Sequence, residues 1–165
     1  MALRDAFIAE LQHESLLTKK ILERVPFLKK DWQPHPKSMS VGRLATHIAE
    51  IPGWIFRILS ADEFDFAARP FKAAVASSQE ELMHVFSENI ELALAELSRA
   101  EDADFKKSWT IKRGEQVMMS PRKEDAIRAW GYSHLYHHRG QLTVYLRLLE
   151  LPVPGMYGPT ADERI

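Results

Sequence analysis

Apolar residues recur every three or four positions in four stretches of the chain, and the pattern breaks down between them. In the first stretch, about residues 3–25, Leu3, Phe7, Leu11, Leu17, Ile21 and Val25 fall on one side of a helix, which Pro26 ends. Pro26, Pro34 and Pro36 make residues 26–39 a loop, with Trp32 folding back onto the domain. A second helix starts at Ser38 or Ser40, either of which can cap free amides, and runs through Val41, Leu44, His47, Ile48, Ile51, Ile55 and Ile58. Pro52-Gly53 predicts a kink in its middle, although the apolar phase continues through it. After a loop over about 60–77, Ser78-Gln79-Glu80-Glu81 reads as a capping box for a third helix. Leu82, Phe86, Ile90, Ala93 and Leu97 form its buried stripe. The fourth helix starts at Ser120-Pro121, with serine as cap and proline in the first helical position. It passes Ile127, His134, His138, Leu142, Tyr145 and Leu149 and stops near Pro152, after which a Pro/Gly-rich tail is coil.

Residues 101–120 keep no helical period. Phe105, Trp109, Ile111, Val117 and Met119 lie among polar residues, with Arg113-Gly114 between two short runs, which predicts a small irregular hairpin at about 105–119. Four helices around one core make the expected fold all-α, a four-helix bundle forming a single domain over 1–165. The short loop between the first two helices favours antiparallel neighbours, and the long linker before the last helix permits a crossover.

Composition narrows the function classes. The 165 residues suffice for a real core. With a net charge of -1 and mixed signs along the chain, there is no basic field for nucleic acid. The absence of cysteine excludes disulfides, thiolate metal sites, iron–sulfur clusters and a cysteine nucleophile, and fits a cytoplasmic location. No run reaches 18 apolar residues and the N-terminus has no apolar signal segment, so no membrane partner is expected. Phosphate-loop, dinucleotide and nucleophile-elbow motifs are missing.

The candidate chemistry is in three histidines. His134 and His138 are one helical turn apart, and His47 shares the apolar side of the second helix. Packed side by side, the two helices would aim three imidazoles at one point, each about 2.0–2.1 Å from a divalent ion. Singly, each of these residues also reads as a satisfied core histidine. Three ligands leave a position open for water or substrate, as catalytic sites do, and all-nitrogen ligation suits zinc, nickel or iron. His137 and Arg139 flank the pair a quarter turn off the stripe, and Gln141 lies one turn on, where it is a site neighbour or a surface residue. Glu50, three positions after His47, can approach the rim. His13, His35 and His84 fall on polar faces or in loops and take no role. Trp54, Trp130 and Tyr132 are candidates for a dimer face or a pocket wall.

The run His134-Leu-Tyr-His-His-Arg-Gly-Gln-Leu142 resembles the last-helix motif of the DinB-like (YfiT-like) metal-dependent family, which is unrelated to the DNA polymerase sharing that name. Pro36-Lys-Ser-Met-Ser-Val-Gly-Arg-Leu-Ala-Thr-His47 resembles the second-helix motif, and Pro152 to Glu163 the ending of one branch. The resemblance implies a bundle with a long crossover, a homodimer, and a divalent metal held by His47, His134 and His138. It also implies small-molecule chemistry: transfer of a low-molecular-weight thiol to an electrophile. Arg139 would anchor a carboxylate of that thiol if its side chain reaches the mouth of the site. The alternatives are hydrolysis by metal-activated water, with Glu50 near the rim, and a non-enzymatic stress-related binding protein whose metal holds its helices together.

Overall fold

The computed structural model describes residues 2–68 and 73–163. Its helices are α1 (Leu3–Leu22), α2 (Val41–Glu50), α3 (Gly53–Ser60), α4 (Gln79–Arg99), α5 (Asp102–Lys106), α6 (Lys123–Ala126) and α7 (His134–Leu148). A 3-10 turn spans Phe27–Lys29, and a π-helical stretch, Ile127–Ser133, joins α6 to α7. The strands are β1 (Glu63–Asp65), β2 (Thr110–Arg113) and β3 (Gln116–Met119). No helix among the described residues is long and apolar enough to cross a membrane.

The second helix is divided at Ile51-Pro52 into α2 and α3. Both junction residues keep right-handed helical backbone angles, so Ile48, Ile51, Ile55 and Ile58 still line one buried side. Ser40 caps α2 by accepting the Arg43 amide at 3.3 Å, and Ser78 caps α4 by accepting the Glu81 amide at 3.1 Å. Glu81 reaches back one residue further than a capping box requires, accepting the Ser77 amide at 2.7 Å. The last helix begins at Lys123 rather than Pro121. The Pro121 carbonyl is engaged by the Trp109 amide, and the Lys123 amide by the Lys107 carbonyl, which keeps this approach extended.

Contacts along the helices fix their directions. Tyr132 donates to the Phe7 carbonyl at 2.6 Å, Tyr136 to Glu10 at 2.7 Å and Arg139 to Glu14 at 2.5 Å, so α1 and the last helix run parallel. His47 meets His134 and Tyr145 donates to the Met39 carbonyl, so α2 and α7 run antiparallel. The Leu3 amide reaches Asp102, and Gln79 reaches the Leu22 carbonyl, so α1 and α4 are also antiparallel. Each of α1 and α2 packs against α4 and α7. The first two helices are therefore antiparallel but diagonal, not the neighbours expected, because the 18-odd residues of proline-rich loop are long enough to cross the bundle end.

The all-α bundle with a long crossover is thus present. The linker before the last helix crosses one bundle end between the diagonal helices α4 and α7. A second connection, between α3 and α4, passes along the bundle; four of its residues, 69–72, are outside the described ones. The predicted hairpin is β2–β3, narrower than 105–119 because α5 takes Phe105. It has a bulge at Ile111/Lys112 and a turn at Gly114, whose φ is +59°. β1 adds parallel to β2, giving the order β1-β2-β3.

Two apolar clusters fill the bundle. One holds Ile21, Leu22, Leu44, Ile48, Leu82, Leu135, Leu142 and Leu146. The other holds Phe7, Leu11, Ile55, Leu97, Phe105, Trp109, Ile127 and Tyr132. The interface between α2–α3 and the last helix runs along both.

Candidate metal centre

The wide turn of the π-helical stretch sets where the last helix points its histidines. An α-helix drawn straight from Ile127 puts His134 and His138 on the buried stripe. The π-helical turns change the phase, so the buried stripe of α7 is Leu135, Arg139, Leu142 and Leu146. His134 and His138 fall on the adjacent flank, partly buried and facing α2. Gly131 permits this close approach: a Cβ there would lie 2.9 Å from Ile55 Cγ1. His47 likewise sits at the edge of the buried side of α2, its side chain 16% exposed.

The three imidazoles converge. Ring centroids are 4.9 Å apart for His47–His134 and 4.6 Å for both other pairs. One ring nitrogen from each lies within 4.8 Å of the others, and His47 Nε2 is 3.1 Å from His134 Nε2. Two nitrogens about 2.0–2.1 Å from one ion leave such a gap when roughly 100° apart, which tetrahedral and octahedral sites both accommodate.

The rear nitrogen of each ring is engaged. His138 Nδ1 donates to Gln141 Oε1 at 2.7 Å, and the His134 ring donates to the Trp130 carbonyl. His47 Nδ1 faces the Arg43–Glu50 pair, 3.4 Å from Arg43 Nη2 and 3.8 Å from Glu50 Oε2. Arg43 donates to Glu50 at 2.9 Å and to the Ala74 carbonyl at 2.8 Å. With their rear nitrogens donating, His134 and His138 turn forward lone pairs to the meeting point. His47 Nδ1 instead lies between a group that only donates, Arg43, and one that only accepts, Glu50, and a proton on Nδ1 toward Glu50 is what frees the Nε2 lone pair for a cation. Carboxylate, carbonyl and amide groups behind ligating imidazoles are the usual way of fixing tautomer and ring orientation.

Electrostatics agree with the donor geometry. Burial lowers the His138 pKa to about 4, with the other imidazoles adding to the effect and the Gln141 hydrogen bond opposing it. Burial and the neighbouring His47 and His137 also lower that of His134. Burial alone would raise Glu50, but hydrogen bonds from His47 and Arg43 outweigh it and hold the carboxyl below its usual range. His134 and His138 are therefore neutral near pH 7 and Glu50 is ionised, as a metal ligand set requires. These residues fit a divalent cation.

The other candidate residues separate. Gln141 is at the centre, orienting His138, and also contacts His137 Nε2 at 3.1 Å. His137 is exposed, its ring 4.8 Å from His138 and outside the converging trio. Glu50 stands behind His47 rather than across the opening. Arg139 is not at the rim: it is 2% exposed and faces α1, where it donates to Glu14 at 2.5 Å and to Thr18 at 3.0 Å, and bonds the Tyr157 hydroxyl. The phase change upstream turns it to the buried stripe, and buried Glu14 receives its charge. Sequence reasoning missed Glu14 and Arg43. Arg43, one turn before His47, was legible by spacing; Glu14 lies 125 positions from its partner. A cleft of about 510 Å³ between α1 and the tail, lined by His13, Lys20, Tyr157 and Glu163, holds no cluster of metal ligands among the described residues.

Comparisons with known proteins agree with this architecture. A family model described as the DinB family matches residues 3–164. The uncharacterised protein YrdA of Bacillus subtilis (strain 168) is 23% identical over 163 residues, covering 96% of this chain and 90% of its own. A DinB-like protein from Bacillus cereus ATCC 10987 superposes with a TM-score of 0.70 at 22% identity, over 93% of this chain and 97% of that one. The DinB-like protein YjoA from Bacillus subtilis gives a TM-score of 0.70 at 14% identity, over 96% and 98%. At these identities the solved structures establish the fold.

Proposed function

This chain belongs to the DinB family, which is distinct from the DNA polymerase of that name, and we propose that it is a divalent-metal-dependent enzyme that transfers a low-molecular-weight thiol to a small electrophilic substrate. The observation that carries the reading is the trio itself: three convergent imidazole nitrogens within 4.8 Å and no fourth ligand in the group among the described residues. A closed structural site would recruit four protein ligands, so this one leaves room for an exogenous group.

His47, His134 and His138 would hold the ion. A bound divalent cation supplies Lewis acidity, lowering the pKa of a coordinated thiol or water toward neutrality. The chain's own part is to hold the rings: burial keeps His134 and His138 neutral, while Glu50, the Trp130 carbonyl and Gln141 stand behind the three imidazoles and orient them. It has no cysteine and so no thiol of its own, and the thiol comes from the co-substrate. A homodimer, a small-molecule substrate and a cytoplasmic setting complete the proposal, supported by the resemblance of the histidine segments.

The test uses metal-loaded protein, an electrophile such as an activated aryl halide or an epoxide, and low-molecular-weight thiols supplied one at a time. Metal-dependent loss of free thiol, abolished in His47→Ala, is the expected result. Turnover of esters or amides without thiol would replace transfer by hydrolysis. A metal-free protein that has lost most of its stability, with neither activity, would instead make the ion structural.

A further inference from the structure

We infer that the substrate of the three-histidine centre carries a flat aromatic group, seated against Trp54 and Trp130. The inference rests on the metal reading above and specifies what lies beside the ion.

The interface between α2–α3 and the last helix presents two successive cross-helix ring pairs. One is His47 with His134. The next is Trp54 with Trp130, edge to face at 5.3 Å. Trp54 is seven residues after His47, and the helical phase continues through Ile51 and Pro52. Trp130 is four residues before His134, and its carbonyl accepts from the His134 ring. At 1.5 Å of rise per residue, the tryptophans stand roughly 6–10 Å along the interface from the imidazoles. That span suits a single ring attached to a metal-binding head.

The surroundings are asymmetric. On the side of His138 the neighbours are polar: Gln141, His137 and Arg43. On the side of His134 they are aromatic. Phe64 meets Trp54 at 5.1 Å and Phe66 at 5.0 Å. Behind them Trp109 is fully buried, 6.3 Å from Trp54 and 5.9 Å from Trp130. Trp109 supplies the core packing here. Trp54 and Trp130 remain partly exposed in front of it. The Arg57 guanidinium lies over the Trp54 ring at 5.5 Å, so an incoming ring would meet the exposed edge of this pair and the part of Trp130 that remains in the open, a contact more specific to a flat π-system than to an aliphatic chain of equal area.

Acetohydroxamate and benzohydroxamate test the inference, because they share a metal-binding head and differ in the ring; cyclohexanecarbohydroxamate has similar bulk without flatness. Their dissociation constants would be measured by calorimetry on the zinc-loaded full chain and on Trp54→Leu and Trp130→Leu. The expected result is about tenfold tighter binding of the benzo than the aceto compound to the wild type, with the cyclohexyl compound between them. In Trp54→Leu that advantage should fall to about twofold while acetohydroxamate affinity stays unchanged, which also shows that it is folded and loaded; in Trp130→Leu the ratio of benzo to aceto affinity should fall likewise. Equal aceto and benzo affinities in the wild type would overturn the aromatic seat and leave the metal reading standing. So would a benzo advantage that survives both substitutions. Failure of every hydroxamate to bind, with no metal in the protein, would overturn both.

Discussion

His47 Nε2 and His134 Nε2 lie 3.1 Å apart although 87 positions separate the two residues in the chain. Two neutral imidazole lone pairs so close repel unless a proton or a cation lies between them. His138 adds a third nitrogen to the same point, which a single shared proton cannot satisfy. The protein purified without chelator should therefore hold about one divalent ion per chain, and His47→Ala and His138→Ala should each lose it. Elemental mass spectrometry of untagged protein decides this. A wild type empty even after reconstitution would remove the metal reading.

The carboxylate behind His47 should matter to the ion without touching it. Glu50 Oε2 lies 3.8 Å from His47 Nδ1, and hydrogen bonds from His47 and Arg43 keep it ionised. Glu50→Gln retains size and polarity but removes the charge that favours a proton on Nδ1. Metal affinity, read by competition with a chromophoric chelator, should fall about 10–100-fold. An unchanged affinity would mean that Glu50 serves only to pair Arg43.

The histidine trio, the helix caps at Ser40 and Ser78, and the hairpin were legible because each is a local pattern with a short-range cause. The position of Arg139 was not. The sequence of the last helix reads as uninterrupted α-helical periodicity, and nothing local announces that Ile127–Ser133 winds as a π-helix. That change of phase moves His134 and His138 from the stripe to its flank and turns Arg139 inward. The diagonal placement of α1 and α2 was equally hidden. It is set by contacts such as Tyr132 to Phe7 and Arg139 to Glu14, which link residues more than a hundred positions apart.

Gly131 holds the π-helical stretch against α3. Gly131→Ala would place a Cβ 2.9 Å from Ile55 Cγ1, inside a fully buried contact. Overpacking of this kind costs about 1–3 kcal/mol. Because the same stretch positions His134, metal affinity should fall with stability, and Ile55→Ala in the same chain, which removes Cγ1, should recover part of the metal affinity. Chemical denaturation and chelator competition on the single and double variants would check it.

The Arg139–Glu14 pair should prove structural. Its side chains are only 2% and 7% exposed, and Thr18 and Tyr157 complete its hydrogen bonds. Arg139→Met strands a buried carboxylate and should cost about 3–5 kcal/mol, whereas the double replacement Arg139→Met, Glu14→Leu should recover much of that. Metal content should be unchanged in both, because this pair faces α1. Loss of the ion from a folded double variant would return Arg139 to the site.

Acid should weaken the metal-free protein earlier than its carboxylates alone would predict. In the folded chain burial holds His138 down to about 4 and also lowers His134, while in the unfolded chain histidine titrates near 6.5. Between about pH 6.5 and 4 the unfolded chain therefore binds protons that the native chain does not, and stability falls as pH falls through that window. Glu50 has the depressed pKa of a paired carboxylate, so its contribution is present above its unfolded value and is lost at more acidic pH. Urea midpoints of chelator-treated protein should be level from pH 8 to 7 and decline between 6.5 and 4.5. The non-titrating His138→Gln should have a shallower decline over the same range. A wild-type midpoint constant down to pH 5 would show that these imidazoles protonate freely in the native state, and so are not held neutral by burial.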